Sequence, residues 1–226
     1  MFFDIITLFP EAFSYLETSI LKKAQEKKLI KISFFDLKKF SQPHGLDDKP
    51  YGGGPGMVIK FEPVYKALEA AKKATKTKKR KIILTHPAGE IFNQNLARKL
   101  AQEKQLIIIC GHYEGIDARI EKFVDLKISI GKYVLTGGEL PAMVIVDAVS
   151  RHLPGVLHHP LSLEEKRWDK GLYSYSVYTR PEEVRIKIHD SRFKKKEMIL
   201  RVPKVLLSGN HKLIDEWRKK QSKRII

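Results

Sequence analysis

Residues 106–117 read Leu106-Ile107-Ile108-Ile109-Cys110-Gly111-His112-Tyr113-Glu114-Gly115-Ile116-Asp117. An isoleucine-rich run too short for a helix stops at a glycine and passes through a polar loop into a helical pattern over 116–123, which is how a buried strand feeds a helix. The same succession follows immediately. Residues 124–130 predict a strand, and Ser129-Ile130-Gly131-Lys132-Tyr133-Val134-Leu135-Thr136-Gly137-Gly138-Glu139 leads from it into an apolar helix over 139–153. Upstream, 2–9, 30–35 and 81–84 read as strands and 11–28, 63–74 and 93–103 as amphipathic helices. Short buried strands alternating with helices predict an α/β domain with a parallel sheet flanked by helices on both faces. Both glycine loops then sit at carboxyl ends of parallel strands, the side on which open α/β sheets bind ligands.

Composition narrows the class. Over 226 residues, 43 lysines and arginines oppose 26 acids, a net charge of +17 on a chain that is 42% hydrophobic. A folded, strongly cationic protein with a polyanionic partner is expected. Cys110 is the single cysteine, set in an apolar run, so it reads as a small core residue in a reducing compartment. No apolar stretch approaches the ~18 residues of a membrane span and no leader pattern opens the chain, which predicts a cytoplasmic protein with no membrane association. Periodicity is poor over 154–203, where the basic run 194–196 also lies, and Asn210 can cap a helix over 211–223 with Leu213, Ile214 and Trp217 on one stripe. The expected division is an α/β domain over 1–158, a linker or flexible loop over 159–202, and a small basic helical element over 203–226.

A further glycine-rich loop, Pro50-Tyr51-Gly52-Gly53-Gly54-Pro55-Gly56-Met57, lacks the lysine and Ser/Thr of a phosphate-binding loop and the spacing of a dinucleotide fingerprint. It is either a flexible turn or a surface for close approach to a flat base or ribose. His158 and His159 have no third ligand at metal spacing, so no zinc site is expected.

Several motifs occur together and in order: Thr7-Leu8-Phe9-Pro10, Asp47-Asp48-Lys49-Pro50 with the loop that follows, residues 110–117 and 129–142, Pro154-Gly155-Val156-Leu157, Tyr178-Thr179-Arg180-Pro181, and Val205-Leu206-Leu207-Ser208-Gly209-Asn210-His211. In this the chain resembles the bacterial tRNA (guanine-N1)-methyltransferases, the TrmD-like members of the trefoil-knotted SPOUT methyltransferases. The resemblance implies a C-terminal trefoil knot in the α/β domain and a homodimer. It also implies transfer of a methyl group from S-adenosyl-L-methionine to N1 of guanosine 37 of tRNA, just 3′ of the anticodon. Carried over residue by residue, the cofactor would be held by Thr85, His86, Pro87, Gly111, Tyr113, Glu114, Ile130, Gly131, Lys132, Tyr133, Val134, Leu135, Gly137, Gly138 and Pro141, chiefly through backbone.

The reaction needs a base for the N1 proton and a cation for the charge that develops on O6. The family arginine ahead of the Pro-Gly-Val-Leu motif matches Arg151. The family's base is the aspartate of a Ser-x-x-x-Asp-Ser-Phe pattern whose last three positions hold Lys166, Arg167 and Trp168 here. Glu165 and Asp169 flank that place, and Asp169 is the favoured base because it follows Trp168, which can stack on guanine. Other departures are His112 for an arginine, Lys132 for an aspartate, a longer segment between Pro181 and Pro203, and a shortened C-terminal extension. A magnesium dependence is suggested by the family; Asp47 and Asp48 are the nearest carboxylates, with loop capping as their ordinary role. Two alternatives stand beside the main reading. One is a catalytically impaired homologue that binds S-adenosylmethionine and RNA, and the other is a methyltransferase acting on a different RNA position.

Overall fold

The computed structural model describes residues 1–41, 45–157, 175–187 and 197–222. The chain divides into two units, Met1–Ser162 and Leu163–Ile226. In the first, β1 (Phe2–Thr7), β2 (Lys31–Asp36), β5 (Arg80–Ile91), β6 (Gln105–Ile109) and β7 (Leu126–Ser129) form one sheet in the order β2-β1-β6-β5-β7. Every pairing in it is parallel, as the buried isoleucine runs predict. A small antiparallel pair, β3 (Asp47–Asp48) with β4 (Val58–Ile59), flanks the Tyr51 loop.

Alternation along the strands supplies two apolar faces. Phe3, Ile5, Leu106, Ile108 and Ile128 pack under α1 (Ser19–Glu26), α3 (Gln94–Leu100) and α4 (Glu139–Ser150). Ile6, Ile82, Leu84, Ile107 and Ile109 face α2 (Phe61–Ala74) and Ile120. All five residues of β6 are buried because that strand lies at the centre, covered on both sides.

Three local differences from the sequence pattern have physical causes. The helix expected over 11–28 is two elements, a 3-10 helix Pro10–Glu17 and then α1, because Thr18 is extended and Ser19 has φ of 48°. The helical pattern near 116–123 is likewise a 3-10 helix, Ala118–Phe123, started by the Asp117 side chain on the Arg119 amide. β5 runs past the expected 84 to Ile91, pairing again with β7 at Glu90 after an irregularity beyond Thr85. There Gly89 lies so close to β7 that a Cβ would stand 2.6 Å from the Ile128 nitrogen, so this late pairing depends on the missing side chain.

In the second unit, β8 (Glu183–Lys187) and β9 (Glu197–Arg201) form an antiparallel hairpin within the stretch of poor periodicity. Glu183 holds it by accepting from Arg185 Nε at 3.1 Å and Arg201 Nε at 2.8 Å. A short helix α5 (Lys204–Leu207) precedes α6 (His211–Gln221), which begins where Asn210 Oδ1 accepts the Leu213 amide, the cap read from sequence. Ile214 is buried while Leu213 of the same stripe is exposed. No helix among the described residues is long and apolar enough to cross a membrane.

Candidate active site

The carboxyl ends of β5, β6 and β7 open onto a cavity of about 430 Å³. Its walls come from three loops that the sequence leaves far apart: 84–87, 111–116 and 128–138, with Pro141 from the first turn of α4. Gly138 joins two of them. Its amide donates to the Gly111 carbonyl at 2.8 Å, and a Cβ on it would stand 2.8 Å from both Cys110 Cα and Gly111 N, besides meeting Thr85 Oγ1. Only a residue without a side chain lets these backbones meet.

Of the fifteen residues assigned to the cofactor, thirteen line this cavity. Gly131 and Lys132 belong to the same loop but not to the wall. The cause is local: Ser129 Oγ donates to the Gly131 carbonyl at 2.9 Å, and the Tyr133 ring occupies the space a Gly131 side chain would take. A bulky residue at 131 would therefore act by displacing Tyr133, which is itself in the wall. Nine further residues, His112, Glu121 and Thr136 among them, line the wall between or beside the assigned ones.

Below the wall lies a buried polar set. Glu139 is 7% exposed; its Oε1 accepts from Thr7 Oγ1 at 2.8 Å and its Oε2 stands 3.3 Å from His112 Nε2. Thr7 Oγ1 also accepts the Phe9 amide at 3.0 Å, and the Phe9 ring meets His112 edge-on at 4.8 Å between centroids. Two of the motifs, Thr7-Leu8-Phe9-Pro10 and the one that contains Glu139, thus meet at His112. Cys110 is wholly inside; burial, with the Glu139 carboxylate adding to it, pushes its thiol well above the ordinary range.

Beside the first cavity is a larger one of about 1000 Å³, lined by Asp48, Lys49, Pro50, Tyr51, Lys60 and Arg119 among others, and sharing Glu114, Ile116 and Ala118 with it. Backbone bonds fasten the two regions together: Glu114 N to Met57 O at 3.0 Å, Ile59 N to Gly115 O at 3.0 Å and Asp117 N to Ile59 O at 2.9 Å. Tyr51 stands fully exposed at the rim. Asp48 is engaged, accepting the Lys49 amide at 2.9 Å and pairing with Lys60 Nζ at 3.3 Å; these partners hold its carboxyl below the ordinary range. Among the described residues no three potential metal ligands converge, and nothing at Asp47 or Asp48 supports a magnesium site.

Arg151 does not line either cavity. It ends α4, half-buried, its amide on the Asp147 carbonyl at 3.2 Å. Pro141 in the first turn of α4 lines the cavity and Arg151 follows it by ten residues, so roughly 15 Å of helix separates the two in one chain. In the single chain α4 buries one side, and Leu140 and Val144 are exposed on the other. With Asp147, whose Oδ2 accepts from Tyr15 Oη at 2.7 Å, they form an outward stripe at spacings of four and three residues that ends on Arg151. Glu165, Asp169, Lys166, His158, His159 and the run 194–196 lie outside the described residues.

A parallel α/β sheet with glycine loops gathered at its carboxyl edge defines a small-molecule-binding enzyme domain. The model of the family described as "tRNA (Guanine-1)-methyltransferase TrmD" matches residues 1–225, and the chain belongs to that family. Among its relatives, the tRNA (guanine-N(1)-)-methyltransferase of Carboxydothermus hydrogenoformans is 52% identical over 97% of this chain and 81% of its own length. The protein of the same name from Clostridioides difficile is 43% identical over 100% of this chain and 94% of its own. The crystal structure of tRNA (m1G37) methyltransferase from Aquifex aeolicus superposes with a TM-score of 0.75 at 40% identity, covering 96% of this chain and 87% of that one.

Proposed function

We propose that the chain methylates N1 of guanosine 37 in tRNA with S-adenosylmethionine as donor. The observation that carries this reading is the cavity at the carboxyl edge, whose wall is built from the loops the family resemblance assigns to the cofactor. Its volume is in the range of cofactor sites. Tyr133 and Val134 leave apolar surface exposed in its wall, which an adenine and ribose can cover, and Glu114 places a carboxylate where a cationic ligand gains from it.

Bound there, S-adenosylmethionine supplies an electrophilic methyl on a sulfonium. The chain's own groups do the rest. A carboxylate, Asp169 or Glu165, takes the N1 proton; the ring gains negative charge on O6, which the Arg151 guanidinium stabilises as the nitrogen–carbon bond forms and the carbon–sulfur bond breaks. The cavity around Tyr51 adjoins the cofactor wall and offers the exposed Tyr51 ring, with Lys49, Lys60 and Arg119 near it, to the target base and its phosphates. The Gly138 amide on the Gly111 carbonyl pins the third loop against the second, and the trefoil threading of these loops is part of the family reading.

The distance from Arg151 to its own chain's cavity supports a homodimer as the working form. Two copies packed antiparallel through Leu140 and Val144 set the Arg151 end of one α4 beside the cavity end of the other. Sedimentation as a fully active monomer at micromolar concentration contradicts this. The reaction is tested by radiolabelled methyl transfer to tRNA transcripts that differ only in the nucleotide 3′ of the anticodon. Label is expected in the guanosine transcript alone; label elsewhere, or cofactor and RNA binding without transfer, replaces the reading with one of the two alternatives.

A further inference from the structure

The edge of the sheet opposite the cavity carries a different chemistry. β2, β6 and β5 begin there, and the registers Phe2 with Lys31, Phe2 with Gln105 and Arg80 with Gln105 set their starts in one row. From β2 to β5 this row spans three strand spacings, ~14 Å. The turns that precede the strands are bonded to one another: Lys31 N to Met1 O at 2.9 Å, Phe2 N to Lys104 O at 2.9 Å, and Lys104 N to Lys79 O at 3.1 Å. Lys31, Lys79 and Lys104 therefore stand side by side, with Lys27, Lys28, Lys73, Lys76 and Lys78 in the same turns, and all eight are exposed. Among the described residues none of them forms an ion pair. Of the acids near this edge, Asp125 is already engaged by the Ile82 amide at 2.7 Å, and Asp4, the one that faces Lys31, is buried and accepts from Gln105 Nε2 at 2.6 Å.

The lysine turn is held in place. The Arg80 guanidinium donates to the carbonyls of Lys72, Thr75 and Thr77, and the Lys79 amide donates to Thr77 Oγ1 at 3.2 Å. Cations in the last turn of a helix complement its dipole, which accounts for Lys73 in α2. It does not account for Lys31, Lys76, Lys78, Lys79 and Lys104, which lie outside the helices. Folding gains nothing from so many uncompensated like charges on one edge, since they repel one another.

We propose that this amino-terminal edge is a second RNA-docking surface, which neutralises phosphates of a sugar–phosphate backbone away from the target base. The proposal rests on the tRNA reading only for the identity of the polyanion. The edge lies a strand length, ~17 Å, from the cavity, so it contributes affinity and salt dependence and leaves the chemistry alone.

The test compares the full chain with a K78Q/K79Q/K104Q variant and with K22Q/K23Q/K122Q, which removes the same charge elsewhere. Equilibrium affinity for full-length tRNA and for an isolated anticodon stem–loop is measured against salt concentration, with S-adenosylmethionine affinity as the check on folding. Loss of three phosphate contacts is expected to lower the logarithmic salt slope by about 2–3 and to weaken binding at low salt by about tenfold or more, with cofactor affinity unchanged. A defect confined to full-length tRNA assigns the phosphates to the body of the bound tRNA. A defect with both RNAs, with two RNAs bound per chain by the unmutated protein, assigns them to a second molecule. A variant that matches its charge control on both RNAs overturns the proposal. So does one that loses only its binding to phosphatidylglycerol vesicles. Because binding is read without methyl transfer, a failure of the catalytic reading leaves this result standing.

Discussion

Replacing Gly138 by alanine tests whether the contact between the two cavity loops is as tight as the backbone shows. Gly138 has φ of −85° and ψ of −3°, which alanine adopts without strain, so any effect comes from space. The new methyl would lie 2.8 Å from Cys110 Cα and from Gly111 N, where ordinary contact begins at 3.4 Å, a shortfall of about 0.6 Å against backbone on the far side. Overpacking of this kind costs about 1–3 kcal/mol, and weakening the Gly138 amide bond to Gly111 adds up to about 1 kcal/mol. The stiffer unfolded chain returns about 0.4–1 kcal/mol. The net loss of about 1–3 kcal/mol corresponds to a fall in Tm of roughly 2–12 °C at this chain length. Opening the seam by half an ångström also moves the Gly111 and Gly137 backbones that line the cavity, so S-adenosylmethionine affinity should fall about tenfold or more. Scanning calorimetry and titration calorimetry on the same preparation read both effects. A variant with the parent's Tm within 1 °C and the parent's cofactor affinity refutes the reasoning.

Asp169→Asn should slow single-turnover methyl transfer by about a hundredfold or more with cofactor affinity intact, and Arg151→Ala should cost a comparable factor; if Glu165→Gln is slow and Asp169→Asn is not, the base is Glu165. Mixing Arg151→Ala chains with Asp169→Asn chains should restore part of the rate if the two groups act from different copies, and no restoration places them in one chain. Burial raises the Asp4 carboxyl above its ordinary 3.8 despite the Gln105 Nε2 donor at 2.6 Å. The folded state thus holds that proton more tightly, so this group's contribution to stability is full below pH ~4 and is lost as pH rises through the folded value. Asp4→Asn should flatten the pH dependence of the denaturation midpoint above pH ~4 and raise it at neutral pH; an unchanged profile removes the assignment. The buried, high-pKa Cys110 thiol should resist a thiol reagent in the native protein and react promptly in denaturant, and fast native labelling would show that the cavity floor opens.

The sequence by itself determined the α/β class, because strand burial is written as isoleucine runs and a helix start can be written as a side-chain cap: Asn210 on the Leu213 amide was legible, whereas the equivalent cap of Asn93 on the Leu96 amide was shown by the structure. It also pointed to the glycine loops after strands, which the fold gathers around the cavity, since a chain that turns sharply against a neighbouring backbone needs residues without Cβ. Where only long-range contact decides, the sequence was silent. The break at Thr18, the second pairing of β5 beyond Gly89, and the hairpin of β8 and β9 carry no period, because their hydrogen bonds are set by neighbouring backbone and not by an apolar stripe. The bond from Thr7 to Glu139 joins residues 132 apart, and neither announces the other. Tertiary structure likewise decided that Gly131 turns away from the wall, that α4 leaves Leu140 and Val144 outside, and that Arg151 stands a helix length from its own cavity. Local sequence fixes which conformations a segment can adopt, whereas the partner of a side chain is fixed only when the sheet has brought distant loops to one edge.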